Sequence, residues 1–92
     1  MSKYNSSIDI EDQPQLIENR DDFEKFLACL LENYRSSNDD WENGTLESFL
    51  EGLIGFSRDA NGYYKNIEQD VDTEIPTWKL FADILLAARV YE

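Results

Sequence analysis

"SRDANGYYKNIE", Ser57 to Glu68, spaces its oxygen-bearing side chains like an EF-hand calcium loop. With Ser57 at the first position, Asp59, Asn61, Gly62 and Glu68 fall at the third, fifth, sixth and twelfth. A metal loop here would set two helices around an ion, whereas a helix end would make the chain a plain bundle. The donor set argues against the ion. Ser57 supplies no charge where Asp is usual, and Lys65 puts a cation at the ninth position. Only Asp59 and Glu68 would bind as carboxylates. The exit helix is replaced by "QDVDTEIP", Gln69 to Pro76, which has no helical stripe. Ser57 also falls in line with Leu46, Leu50 and Leu53, a position that reads as facing the core. Asn61 and Gly62 both tolerate left-handed backbone, so the stretch reads as a helix C-terminus around Arg58 to Gly62.

Upstream, Leu46, Phe49, Leu50, Leu53 and Ile54 recur at helical spacing as a buried stripe, with Asn43 or Thr45 as the cap. Ser48, Gly52 and Gly55 line another side of the same helix. Glycine inside a helix costs about 1 kcal/mol relative to alanine. Two of them imply the close approach of another backbone.

Downstream, Pro76 and Thr77 open a third helix that reads through to Glu92, with Leu80, Phe81, Ile84, Leu85, Ala88 and Tyr91 on its core face. Its opposite face carries Lys79, Asp83, Leu86 and Val90, half apolar, and reads either as covered by the N-terminal arm, the favoured reading, or as a contact surface. A first helix starts at Asn19, with Phe23, Phe26, Leu27, Leu30, Leu31 and Tyr34 in one stripe and Cys29 on its flank as a packing residue. Residues 1–18 hold no period and contain Pro14, so they read as an irregular arm. The connection 60–75 is long enough for a short hairpin, because Tyr63, Tyr64 and Ile67 favour extended structure. The fold class is all-α: a compact bundle of three main helices, an arm over 1–18 and one helical domain over 19–92.

Composition removes whole classes of chemistry. The 92 residues contain no histidine and one cysteine, so zinc sites and Cys-His or Ser-His nucleophiles are excluded. Carboxylates are plentiful, but no spacing singles out an acid–base pair. No catalytic residue, metal or cofactor is expected. No apolar run approaches the ~20 residues of a membrane span, and Met1 to Tyr4 begins no signal peptide. With its single Cys29, the chain is expected in the reducing cytoplasm.

Twenty carboxylates against eight Lys and Arg give a net charge of −12. Such a field repels nucleic acid and anionic lipid and attracts basic proteins. The plain alternative is that the acidity only keeps a small protein soluble. The layout favours a partner. Asp39, Asp40, Glu42, Glu47 and Glu51 occupy a stretch free of Lys and Arg, and Glu68, Asp70, Asp72 and Glu74 occupy another. Glu47 and Glu51 stand four apart, a like-charge pair costing a few tenths of a kcal/mol. These nine carboxylates, with Trp41 inside the first run, form the expected partner-binding set. Trp41 suits an interface anchor, and equally a hydrophobic staple over the second helix.

Three blocks carry a resemblance: "WENGTLESFLEGL" (41–53), "DANGYYKN" (59–66) and "WKLFADILLAARVYE" (78–92). Together they resemble a bacterial family of small acidic domains of unknown function, over Phe23 to Glu92. The resemblance implies a compact, mostly helical module and supplies no catalytic residues. In type, the small, acidic, histidine-free chain is also similar to cytoplasmic immunity proteins of contact-dependent growth inhibition, whose nuclease toxins are basic. That likeness implies a protein that occludes the nucleic-acid groove of a cognate toxin and touches no nucleic acid itself. A nucleic-acid mimic that inhibits a defence enzyme, and a non-catalytic adaptor, are the alternatives.

Overall fold

The computed structural model of the chain describes residues 3–91. Three α-helices carry it: α1 (Arg20–Ser37), α2 (Leu46–Asn66) and α3 (Trp78–Ala88). Each begins where its cap residue directs. The side chains of Asn19, Thr45 and Thr77 accept the N–H groups of Asp22, Ser48 and Leu80 at 2.9, 3.1 and 3.0 Å. Such a cap contributes about 1 kcal/mol to helix stability. At Thr45 the Ser48 hydroxyl reciprocates by accepting the Thr45 N–H, which selects Thr45 over Asn43 as the cap. The arm is more regular than its sequence suggests. Ile10–Leu16 form a 3-10 helix that packs on both α1 and α3, burying Gln13 and Pro14, and Ile17 follows it into the core.

α3 lies between the other two helices. One core cluster, Ile17, Phe26, Leu30 and Ala82, joins α1 and the arm to α3. A second, Phe56, Ala60, Tyr64 and Leu80, joins α2 to α3. α2 runs antiparallel to α3, with Tyr64 near Leu80 and Asp83 and with Gly52 near Ala88. α1 and α2 make no backbone approach to one another.

The face of α2 turned to α3 is small where it meets the end of α3, at Gly52 and Gly55, and large further on, at Phe56 and Tyr64. A Cβ on Gly52 would stand 2.5 Å from the Ala88 carbonyl oxygen, and one on Gly55 3.1 Å from the Tyr91 ring. The two glycines therefore admit another backbone and another ring. The leucine stripe expected in the core points elsewhere: Leu46, Leu50 and Ile54 are exposed, as are Ser57, Leu27 and Leu31. In an ordinary bundle the larger apolar stripe would win the core. Here the close backbone approach at Gly52 has taken the interior instead.

α2 also continues past Asn61 and Gly62 to Asn66, and no hairpin forms in 60–75. Phe56, Ala60 and Tyr64 recur every four residues and are all buried against α3, so packing carries the helix through two poor helix formers. α3, by contrast, stops at Ala88 rather than continuing; Glu92 lies outside the described residues. Asn43 explains the stop. Its side-chain amide donates to the carbonyls of Ala88 and Tyr91 at 2.9 and 2.7 Å, and its backbone N–H donates to that of Arg89 at 2.8 Å. Terminal carbonyls that a further turn would have used are satisfied by a residue from before α2. On the outer face of α3, Leu86 is half-buried against the first core cluster, while Val90 remains exposed.

Candidate protein-binding surface

The first acidic run is built around the junction of α1 and α2. A 3-10 turn, Asn38–Asp40, presents Asp39 and Asp40 to solvent, and Glu42 follows, also exposed. Between them Trp41 is half-buried, and its surroundings are fully used. Its indole N–H donates to Asn33 at 2.7 Å, its ring stacks on Phe49 with centroids 5.7 Å apart, and Tyr34 meets it edge-on at 5.0 Å. Phe49 is the fourth residue of α2, so Trp41 fastens the helix start as a staple does. The Arg89 guanidinium lies 5.9 Å over the same ring and donates to the same Asn33 oxygen at 3.0 Å. Trp41 thus serves the fold first, tying α1, α2 and the end of α3 at one point. Glu47 and Glu51 occupy the first two turns of α2, where the positive end of the helix dipole offsets part of their mutual repulsion.

The second run begins where α2 ends. Glu68 sits in the left-handed region at φ 59°. Around it the Gln69 N–H donates to Tyr64 and the Glu68 N–H to Lys65, at 2.9 and 3.1 Å, the paired bonds of a Schellman closure. This is the helix end the sequence promised at Asn61 and Gly62, six residues later and on a residue that is not glycine. Asp70 and Asp72 follow in the connection, and Asp72 accepts the Glu74 N–H at 3.0 Å. The chain then turns back along α2, so that Thr73 and Glu74 line one cavity with Ser57, Arg58 and Asn61. α2 is about 30 Å long. The two runs therefore do not merge. Asp39 to Glu47 gather at one end, Glu68 to Asp72 at the other, with Glu51 and Glu74 approaching from either side of Arg58.

All nine carboxylates are exposed, and among the described residues none is ion-paired. The ion pairs that do form use Glu11, Asp21, Glu32, Asp59 and Asp83 instead. Titration is perturbed away from the runs. The hydroxyl of Tyr91 donates to Asp59, holding that carboxyl below its ordinary value with help from Arg58, and the same bond raises Tyr91. Burial raises Tyr64, reinforced by its bond to Asp83, which Lys79 also approaches at 3.3 Å. Burial likewise raises Tyr4, beside Cys29. Cys29 is half-buried against Tyr4 and the Ser6 carbonyl.

Ser57 to Asn66 lie inside a continuous helix and only Ile67 and Glu68 pass its end, so the stretch is not a calcium loop. Among the described residues, no three Asp, Glu or Cys side chains gather so as to hold a metal ion. None of the helices is long and apolar enough to cross a membrane.

Sequence reasoning missed Asn33 and Arg89 and offered Asn43 only as a possible cap, yet these three tie the ends of all three helices together. Asn43 and Ala88 are 45 positions apart, and no local pattern joins them.

These features define a small all-α module with an acidic, largely unneutralised surface. Residues 19–92 match a family of unknown function (DUF7660), and the chain belongs to that family. Comparison with curated proteins and with solved structures gave no match.

Proposed function

We propose that the protein is a non-catalytic binding module that neutralises a basic protein partner. In its most specific form it is a cytoplasmic immunity protein that covers the nucleic-acid groove of a toxin nuclease. One observation carries the reading: among the described residues nine exposed carboxylates form no ion pair, while Lys25, Arg35, Arg58, Lys79 and Arg89 pair with other acids. A surface evolved for solubility alone would interleave the signs. Lys and Arg that otherwise hold phosphates would pair with these acids, and long-range attraction would speed encounter. Co-expression with the neighbouring gene product, followed by affinity purification at low and high salt, tests this. A basic partner whose association weakens steeply with salt is expected. If only acidic or neutral partners are recovered, or if salt leaves binding unchanged, the reading fails.

The separation of the two runs favours a second reading, a nucleic-acid mimic directed at a defence enzyme. About 30 Å along α2 matches roughly nine phosphates at 3.4 Å per step of one strand. A mimic would compete with DNA on several unrelated DNA-binding proteins, whereas an immunity protein would engage one.

A further inference from the structure

α1 and α2 pack on α3 through different clusters and do not approach one another, which leaves a valley over α3 between them. Tyr34, Trp41 and Phe49 bridge the valley at one end. Phe23, Trp78 and Phe81 cluster at the other, with Phe23 5.2 Å from Trp78 and 6.4 Å from Phe81. Helical spacing fills the walls. Leu31 and Leu27 lie one and two turns before Tyr34 on its face of α1, and Leu46, Leu50 and Leu53 flank Phe49 on α2. Much of this surface is open: Leu31 is 49 % exposed, Leu50 47 % and Leu46 75 %. Contiguous apolar surface of this kind marks an interaction site in a soluble domain.

Packed helices stand about 8–10 Å apart, so helices on two sides of α3 are separated by up to about 20 Å. That leaves room over α3 for one more helix, itself about 10 Å across. The rim decides which helix. Asp39, Asp40 and Glu42 surround the Trp41 end, Glu47 and Glu51 adjoin the leucines of α2, and Glu74 shares a cavity with Phe81. A second copy of this chain would bring the same carboxylates face to face, with a net −12 on each side. A helix with Lys and Arg along its margins meets them with opposite charge.

We infer that the valley receives one amphipathic helix of the partner, its apolar face on Leu31, Leu50 and Phe81 and its basic margins on the first acidic run. This inference rests on the proposed function and adds the shape of what is bound.

The test uses two fluorescently labelled peptides of about 18 residues, five helical turns. Both have the same leucine and lysine composition, one arranged with a single apolar face and the other scrambled. Binding is read by anisotropy against the full chain and against Leu31→Ser and Leu50→Ser. The variants replace exposed side chains, so their circular dichroism should match the wild type. Leu46→Ser, at the most open position, repeats the test should either lose helix. The amphipathic peptide should bind at least tenfold tighter than the scrambled one, and each serine variant should lose about tenfold. Equal binding of both peptides would overturn the valley and leave the acidic-surface reading standing. Binding of neither would remove both. Sedimentation showing a wild-type dimer that Leu31→Ser and Leu50→Ser dissociate would give the valley to a second copy and refute the basic helix.

Discussion

Gly52→Ala probes the tightest of the glycine positions. Helix propensity alone favours the alanine by about 1 kcal/mol. The new methyl, however, would stand 2.5 Å from the Ala88 carbonyl oxygen and 2.9 Å from the Asn43 amide nitrogen. A comfortable carbon–oxygen contact is about 3.3 Å, so the end of α3 would have to retreat by roughly 0.8 Å. It cannot do so freely, because Asn43 holds Ala88, Arg89 and Tyr91 through three hydrogen bonds. Overpacking costs about 1–3 kcal/mol, and each weakened bond up to about 1 more. The net expectation is a loss of about 2–3 kcal/mol, a fall in Tm of roughly 10–20 °C for a domain of this size. Gly62→Ala supplies the control. Nothing lies within 4 Å of a Cβ there, and the site is helical, so the same substitution should stabilise by about 1 kcal/mol. Gly55→Ala should fall between, since only the Tyr91 ring, 3.1 Å away, must yield. Urea unfolding followed by far-ultraviolet circular dichroism reads all three. A Gly52→Ala protein as stable as wild type would refute the close packing of α2 on α3.

Tyr64 stays protonated in the folded state above its ordinary value, whereas the unfolded chain ionises it near pH 10. Its stabilisation is complete below that pH and declines above it, by about 1.4 kcal/mol per pH unit. Tyr64→Phe should flatten the stability curve between pH 10 and 11 by about 1 kcal/mol, since the unfolded tyrosine is only half ionised at pH 10, and parallel curves would contradict the assignment. At the acid end, the depressed Asp59 contributes stability above the ordinary carboxylate value that is lost as pH falls through its folded value. In Tyr91→Phe the Asp59 titration, followed by NMR, should move upward; an unmoved midpoint would exclude the Tyr91 bond as its main cause. Glu68→Gly should raise stability by about 1 kcal/mol, because the left-handed position costs an L-residue about that much. A loss of stability on thermal unfolding would mean that the Glu68 side chain does more than occupy the turn.

The starts of the helices were legible because a cap is local: Asn19, Thr45 and Thr77 each reach a backbone N–H three residues on. The meaning of Gly52 was legible for a similar reason, since an unfavourable helix residue requires a compensating contact. The end of α2 was not, because Asn61 and Gly62 speak for a turn while Tyr64, which overrules them, is held by α3. The facing of α2 was misread for a more instructive reason. Periodicity locates an apolar stripe but does not say what it packs against, so Leu46 and Leu50 were assigned to the interior. The candidate acids were easy to list from their isolation from Lys and Arg. Their division between the two ends of α2 depended on how far that helix ran.

The central position of α3 shapes how the molecule can open. α1 with the arm and α2 each rest on α3, with no backbone approach between α1 and α2 and a side-chain bridge at Tyr34 and Trp41, so either could detach while the other remained seated. Amide exchange should then be slowest along α3, whose protection requires both flanks to leave at once, and faster by separate amounts in α1 and α2. A ligand lodged between the flanks would couple them, turning two independent openings into one.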